Sequence, residues 1–488
     1  MCSSDLVAAF DVNHGLLTMS FGPTKPIPGR CSLIPDEWLS SKPLQQAVFR
    51  FAERWQRGDV ASIQAIDDLL FRRAPRLKGG RRKTLVDDGA QLPRDLVTLV
   101  EGLDHTTLCI QGPPGSGKTY NAAAVIVALS AGGARIGVSS NSHKAIVNLL
   151  DAVAAEASKQ RREVPIAKVG NDEGEIKPKD VARRLRPGIV VGGTAWVFAS
   201  PDLEQQFDYL FVDEAGQVAL ANAIAMGLAA RNLVLIGDQM QLAQPAQGSH
   251  PGQSGLSCLH YLLEGHATVP PDRGVLLPIT WRLHPEICRF ISDTAYDGRL
   301  KPEEHTSRRR VVLSPGSLRL RRGTGIHFEE LSHEGNTQSS EEEAERIAEV
   351  LGDLDRSEIE VDGKRTRFDR ERDLLIVAPY NAQVRCLRRR LGDKLRIASV
   401  DKFQGQEASV VIVSMCASSL EEAARGSAFL LNPNRLNVAI SRAKCLAIVV
   451  ASATLIRTRP ESVAELELLN LFCRLRYYAR DLDAATRV

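Results

Sequence analysis

Gly112-Pro113-Pro114-Gly115-Ser116-Gly117-Lys118-Thr119 fits the spacing G-x-x-x-x-G-K-[ST] and decides how the chain around it folds. Glycines in this pattern let successive backbone N–H groups turn inward around phosphate oxygens. Lys118 then reaches the β- and γ-phosphates, and the Thr119 hydroxyl is placed for a magnesium ion. Upstream, Thr107-Leu108-Cys109-Ile110 reads as a short buried strand. Downstream, residues 121–130 are rich in Ala, Val and Ile and read as a helix whose N-terminus faces the phosphates. Strand, loop and helix together predict a nucleoside-triphosphate site.

Working outward, apolar runs at 135–139, 188–192, 209–212 and 233–236 follow the loop, separated by helix-like segments such as 142–156 and 218–230. This alternation predicts a parallel sheet with helices on both faces. A second set of strands, at 374–378, 396–400, 410–414 and 446–451, alternates with helices at 382–391 and 436–443. Only the first set carries a phosphate loop. The sequence therefore predicts two tandem α/β lobes joined near 265–274, where Pro270-Pro271 marks a linker. Ahead of the loop, 21–28 carries three prolines and 37–71 reads as two helices. Residues 301–372 are polar and charged and read as loops or a peripheral insertion, with a clear helix only at 340–354.

At 488 residues the chain has room for about two to four domains. Hydrophobic content of 43% and charged content of 25% describe an ordinary globular composition. A net charge of +3 permits a nucleic-acid partner without announcing one. Basic residues do cluster, at 72–73, 78–83, 308–310 and 388–390, where solvated helix faces are the competing reading. The nine cysteines form no C-x-x-C pair, which excludes zinc-ribbon and iron–sulfur spacings. Several sit in apolar runs and suit a reducing cytoplasm, and no apolar run is long enough to cross a membrane. The ten histidines show no H-x-x-x-H pairing.

Asp213-Glu214-Ala215-Gly216-Gln217 ends the run 209–212. A carboxylate at the end of a strand beside a phosphate loop can hold magnesium, assigning Asp213. A second can take a proton from the attacking water, assigning Glu214. The next strand ends in Gly237-Asp238-Gln239-Met240-Gln241-Leu242, and the Gln241 amide is a candidate sensor of the γ-phosphate.

From about residue 103 to 452 the chain resembles the superfamily 1B helicases, in the group that includes the nonsense-mediated-decay helicase and the Okazaki-fragment nuclease-helicase. Its nearest likeness is to the helicase part of prokaryotic RecB-like nuclease–helicase fusions. Ser139-Ser140-Asn141-Ser142-His143-Lys144 and Gly193-Thr194 resemble strand-contact motifs, which implies that Ser140, Asn141 and Thr194 touch nucleic-acid phosphates. Thr280-Trp281-Arg282-Leu283-His284-Pro285 is similar to Q-Y-R-M-H-P, implying that Arg282 meets the γ-phosphate and Trp281 stacks on the base. Tyr296-Asp297-Gly298-Arg299-Leu300 fits F-Y-x-G-x-L. Ala378-Pro379-Tyr380-Asn381-Ala382-Gln383 is similar to T-P-Y-x-x-Q and implies strand contacts from Pro379 and Tyr380, with Ser399 at a further such position. Val400-Asp401-Lys402-Phe403-Gln404-Gly405-Gln406-Glu407 matches V-D-x-F-Q-G-x-E, placing Gly405 and Glu407 at the nucleotide. Arg435-Leu436-Asn437-Val438-Ala439-Ile440-Ser441-Arg442-Ala443 matches R-L-N-V-A-L-T-R-A, implying that Arg442 is the arginine finger, on the helix 436–443.

The resemblance implies two RecA-like lobes: residues 86–268, binding ATP and Mg2+, and 269–456, with 301–372 peripheral. Residues 1–85 are expected to form part of an accessory barrel and a helical stalk, and 457–488 a C-terminal helix. The chain is expected to be a monomeric piece of a longer protein with an upstream nuclease domain. The expected activity is an ATP-dependent helicase or translocase moving 5′→3′ on single-stranded nucleic acid. An ATP-driven clamp that grips a strand without unwinding is the alternative; a small-molecule kinase would not need Arg282 and Arg442 on a second lobe. The motifs meet phosphate and sugar rather than base edges, so these residues do not separate DNA from RNA, and the resemblance favours DNA. Departures are specific. Thr280 stands where the family has glutamine, and Gln91, beside Pro93, is the sole candidate to read adenine. A nuclease centre built on Glu175-Ile176-Lys177 with Gln205 and Tyr209 is the weaker reading, because Tyr209 starts the strand leading to Asp213.

Overall fold

The computed structural model describes residues 6–11, 16–20, 40–86, 91–170, 174–243, 250–403 and 405–485. The proline-bearing stretch 21–28 and Gln404 lie outside them. Two units separate at residue 41. In the first, strands Leu6–Asp11 and Leu16–Ser20 pair antiparallel.

The second unit holds two parallel sheets. Helices α1 (Lys42–Gln56) and α2 (Gln64–Leu70) precede the first. Leu44, Ala47 and Phe51 of α1 recur at helical spacing, and with Ile66 and Leu69 of α2 they enter the core under that sheet. Both helices expected of a stalk are thus part of the first lobe's packing. Helix α3 (Arg94–Glu101) covers the opposite face through Leu96, Leu99 and Val100.

The first sheet comprises β1 (Thr107–Gln111), β2 (Ile136–Ser139), β3 (Ile166–Lys168), β4 (Val190–Gly192), β5 (Phe207–Val212), β6 (Ala230–Gly237) and β7 (Gly274–Leu276). All pairs are parallel, in the order β3-β4-β2-β5-β6-β1-β7. Helices α4 (Lys118–Ala131), α5 (His143–Lys159) and α6 (Leu220–Gly227) supply crossovers. Side chains alternate between two cores. Leu108, Ile110, Tyr209 and Phe211 enter one, and Cys109, Leu210 and Val212 the other. Strand β7 extends the first sheet past residue 268, where the sequence places the boundary.

Helix α7 (Pro285–Ala295) opens the second lobe. Its sheet contains β8 (Gly325–Leu331), β9 (Leu374–Val377), β10 (Ile397–Ala398), β11 (Ala408–Ser414) and β12 (Ala443–Ser452), all parallel in the order β8-β12-β11-β9-β10. Helices α8 (Glu341–Leu354), α9 (Asn381–Leu391) and α10 (Pro433–Ile440) connect strands, and α11 (Val463–Ala485) packs Leu469, Phe472 and Leu475 into the core. Segment 301–372 is more than loops: it carries β8, hydrogen-bonded along its length to β12. It also carries a small antiparallel sheet of Arg310–Val312, Glu358–Val361 and Lys364–Arg367. Among the described residues there is no closed barrel, and no helix is long and apolar enough to cross a membrane.

Candidate functional site

The phosphate loop joins β1 to α4, and its shape follows from its glycines. Gly117 caps α4 with φ +77° and Gly115 adopts φ +72°, a region that side chains disfavour. The Gly112 amide donates to the Gly237 carbonyl at 2.9 Å, tying the loop to the end of β6. Lys118 Nζ donates to the Gly112 carbonyl at 2.6 Å, so its ammonium lies within the curl of the loop. Ser116 Oγ and Asn121 Oδ1 are buried with no hydrogen-bond partner among the described residues. Buried polar atoms seldom stay unpaired without a functional reason.

The second lobe's Thr280-Trp281-Arg282 turn sits directly on this loop. Thr280 Oγ1 donates to the Pro114 carbonyl and the Trp281 amide to the Gly115 carbonyl, each at 2.9 Å. A Cβ added at Gly115 would stand 2.4 Å from Arg282 Cβ, so only glycine fits there. A cavity of about 1290 Å³ opens beside the loop, lined by Gln91, Ser116, Gly117, Tyr120, Asn121 and Trp281 among others. Trp281 and Tyr120 are 55% and 52% exposed, so two unburied aromatic rings face one cavity. Tyr120 was missed in the sequence; its position directly after Thr119 was the available signal.

Asp213 and Glu214 follow β5. Asp213 is buried; burial and then the neighbouring Glu214 charge push its carboxyl up to about 7, against the Glu214 amide and Lys118. Glu214 has φ +51°, a left-handed conformation that costs on the order of 1–3 kcal/mol outside glycine and clusters at working sites. At the end of β6, Asp238 accepts from Gln241 Nε2 at 2.8 Å, from the Tyr296 hydroxyl at 2.6 Å and from the Met240 amide at 3.1 Å. Burial pushes its carboxyl up, offset by Lys118 and these donors. The Gln241 amide nitrogen is therefore held by Asp238. Further ties cross between the lobes here. Asn434 Nδ2 donates to the carbonyls of Gln239 and Gln241, and Asn437 Nδ2 to that of Met240.

Two arginines of the second lobe meet this surface. Arg282 Nε donates to Glu407 Oε2 at 2.6 Å, and Lys444 Nζ lies 2.6 Å from Glu407 Oε1. Burial raises the Glu407 carboxyl, but Arg282 and Lys444 outweigh it and hold it below the usual carboxylate range. Arg442 lies not on a helix, as the sequence reading has it, but in the turn between α10 and β12, because α10 ends at Ile440. It is 3% exposed, and its Nε has no partner among the described residues. Burial, then the Arg282 charge, lowers its guanidinium to about 10, countered by Glu214 and Glu407. Gly405 has φ +76°, and neither it nor Glu407 lines the cavity beside the loop.

The other expected residues lie at strand ends. Ser140 and Asn141 follow β2; Ser140 Oγ is buried with no partner among the described residues, and exposed Asn141 donates to the Gln217 carbonyl. Thr194 caps the short helix Ala195–Phe198 after β4. Pro379 and Tyr380 follow β9, and Ser399 follows β10. Two hollows of about 220 and 320 Å³ share Asn381, Arg385 and Ser399. They are also lined by Arg388 and Lys402 in one, and by Tyr380, Arg425, Phe429 and Arg435 in the other. The guanidinium carbons of Arg425 and Arg435 lie 3.9 and 4.4 Å from the centre of the Phe429 ring, which stacks on Tyr380 at 5.4 Å. Of the residues around these hollows, the sequence motifs hold Pro379, Tyr380, Asn381, Lys402 and Arg435, with Ser399 at a further expected contact and Arg388 in the basic cluster at 388–390. Arg425 and Phe429 belong to no recognisable spacing. Of the residues in the weaker nuclease reading, Gln205 donates from Nε2 to the carbonyls of Ser62, Leu228 and Ala230, and Tyr209 is buried.

Two AAA domain families match the chain, over residues 94–253 and 256–454. A DNA replication ATP-dependent helicase/nuclease of Arabidopsis thaliana is 26% identical, over 70% of this chain and 27% of its own length. A DNA polymerase alpha-associated DNA helicase of Schizosaccharomyces pombe is 28% identical, over 62% and 46% respectively. A regulator of nonsense transcripts 1 homolog of Drosophila melanogaster is 26% identical, over 83% and 37%. The chain thus spans less than half the length of these relatives. An Arterivirus nonstructural protein 10 helicase solved with DNA aligns with TM-score 0.40 at 15% identity, over 74% of this chain and 63% of that one. Motifs, lobes and relatives agree: the chain carries two AAA domains and is similar to superfamily 1 helicases of the nonsense-mediated-decay and replication nuclease-helicase type.

Proposed function

We propose that the chain is an ATP-driven helicase or translocase on single-stranded nucleic acid, hydrolysing ATP between its two lobes. One observation carries this reading: the second lobe's Thr280-Trp281-Arg282 turn is bonded onto the phosphate loop at Pro114 and Gly115, and buried Arg442 of the same lobe feels the charge of Glu214 on the first. The loop amides and Lys118 bind the triphosphate. Glu214 takes the proton of the attacking water, and the charge developing on the γ-phosphoryl is met by the two arginines. The unpartnered Ser116 and Asn121 oxygens, and a buried Asp213 whose ionisation is disfavoured, fit a site built for phosphate and a cation. Thr119 and Asp213 would hold Mg2+, which would supply charge neutralisation at the β- and γ-phosphates. The base enters the cavity between Trp281 and Tyr120, with Gln91 on its rim.

Because the arginines and the loop belong to different lobes, ATP draws the lobes together and hydrolysis releases them. The strand lies across Ser140, Asn141 and Thr194 on one lobe and Pro379, Tyr380 and Ser399 on the other. DNA and 5′→3′ movement are the finer reading, and they rest on family likeness. The test is ATP turnover by the parent and by Lys118→Ala, with and without single-stranded DNA or RNA, followed by strand displacement on 5′- and 3′-tailed duplexes. Turnover indifferent to either nucleic acid sinks the proposal. Stimulated turnover without displacement from either tail assigns the clamp instead.

A further inference from the structure

Arg309, in the basic cluster at 308–310 but in none of the helicase-like motifs, is 6% exposed rather than on a solvated face. All five of its N–H bonds are used. Nη1 donates to the carbonyls of Trp281 and Arg282, both at 2.9 Å. Nε and Nη2 donate to Asp362 Oδ1 at 2.9 and 2.8 Å, and Nη2 also reaches His305 Nε2 at 2.9 Å. The second ring nitrogen of His305 is paired with Glu303, and its ring packs 6.0 Å from that of Trp281.

What Arg309 holds is a segment without regular structure. The strand pairing of Ile279 and Thr280 with Lys301 and Pro302 stops at Thr280, and the helix begins only at Pro285. Between them, the peptide planes of Trp281 and Arg282 set where the indole and the guanidinium point. Both planes are fixed from behind by one nitrogen of Arg309. Asp362 in turn sits at the tip of the Glu358–Val361 and Lys364–Arg367 hairpin, with φ +51° followed by Gly363 at +77°. Asp-Gly in that conformation makes a tight two-residue hairpin turn. The third strand of the small sheet, Arg310–Val312, starts at the residue after Arg309. The insertion is thus built to deliver one guanidinium and its counter-charge to the back of the nucleotide-facing turn.

We infer that Arg309, oriented by Asp362, is the positioning residue for Trp281 and Arg282, and that the 310–367 sheet is its support. It acts through Arg282 and does not touch nucleotide. The inference rests on the ATPase reading, so the experiment keeps the two apart. The parent must hydrolyse ATP with single-stranded DNA; a parent without turnover overturns the ATPase reading and this inference with it. Given turnover, Arg309→Gln should lower kcat about 10–100-fold, the scale of an ångström-sized misplacement of a catalytic group, with KM for ATP moving far less. Arg309→Lys should not rescue it, since an ammonium lacks the planar fork that serves two carbonyls and a carboxylate together. Arg310→Gln, at the neighbouring exposed residue paired with Glu360, should match the parent.

The decisive readout is the double-mutant cycle. In an Arg282→Ala background Arg309→Gln should cost nothing further in kcat, whereas a merely structural residue would cost the same factor in both backgrounds. If Arg309→Gln does not fold, Asp362→Asn, which keeps the turn and weakens the grip, takes its place in the same cycle. Equal losses in the two backgrounds, or an unchanged kcat, overturn the inference.

Discussion

The Tyr296 hydroxyl donates to Asp238 at 2.6 Å and itself accepts from Asn437 Nδ2 at 3.1 Å, joining the lobes through a buried polar chain. Tyr296 is fully buried and Asp238 is 2% exposed. Tyr296→Phe removes one of three donors to Asp238 and leaves Asn437 its bond to Met240. We expect a loss of about 1–3 kcal/mol, the cost of orphaning a buried polar partner, with nucleotide binding retained. Urea denaturation followed by tryptophan fluorescence measures it, and an unchanged midpoint would show that this contact does not hold the lobes.

Arg442→Ala should cut stimulated ATP turnover about 10³- to 10⁵-fold, as for arginine fingers generally, while nucleotide affinity falls far less. Arg442→Lys should not restore it. Turnover near the parent rate under saturating single strand would rule Arg442 out as the finger.

Asp213 gives stability a pH signature. Its carboxyl is raised from 3.8 to about 7 in the fold, so its contribution is fully present below the unfolded value and lost as pH rises through the folded one. Between about pH 4 and 7 the thermal midpoint of the parent, measured without divalent cations, should drop by more than that of Asp213→Asn. Identical pH slopes in the two proteins would contradict the assignment.

The hollows around Arg385 predict phosphate contacts. Replacing Arg385 and Lys402 together by Gln should weaken single-strand binding and reduce the slope of log affinity against log salt by about 0.7 per lost contact. Turnover at saturating strand should be preserved. Fluorescence anisotropy across a salt series decides this, and a parallel pair of lines would place the strand elsewhere.

The candidate nucleotide site is legible because its residues sit in tight local patterns: the loop at 112–119, the acids at 213–214 and the arginine-bearing stretches at 280–285 and 435–443. Local patterns cannot show what tertiary geometry supplies. Strand β8 reads Gly325-Ile326-His327-Phe328-Glu329-Glu330-Leu331, too polar to announce itself, yet it docks on β12 with Glu329 held by Arg346 and His327. Arg442 was assigned to a helix because apolar residues continue through it, whereas the Ile440 end of α10 and the start of β12 leave it in a turn. The brace at Arg309 depends on three segments far apart in the chain, and no spacing encodes it.

The two sheets offer opposite edges to the candidate nucleotide site. In the first lobe the loop, Asp213 and Asp238 all follow strands; in the second, Glu407 and Arg442 immediately precede β11 and β12. The second lobe's proposed grip on the strand, at Pro379, Tyr380 and Ser399, is at the far edge of the same sheet. Parallel strands of 7 and 10 residues separate the two edges, roughly 23–33 Å at about 3.3 Å per residue. In the proposed lobe closure, such a sheet would act as a stiff beam pivoting near the candidate nucleotide site. A tilt that scarcely alters distances around the triphosphate is magnified at the other end in proportion to the beam's length. In the proposed translocation, stride along the track would then follow from the lengths of β11 and β12 rather than from any flexible loop.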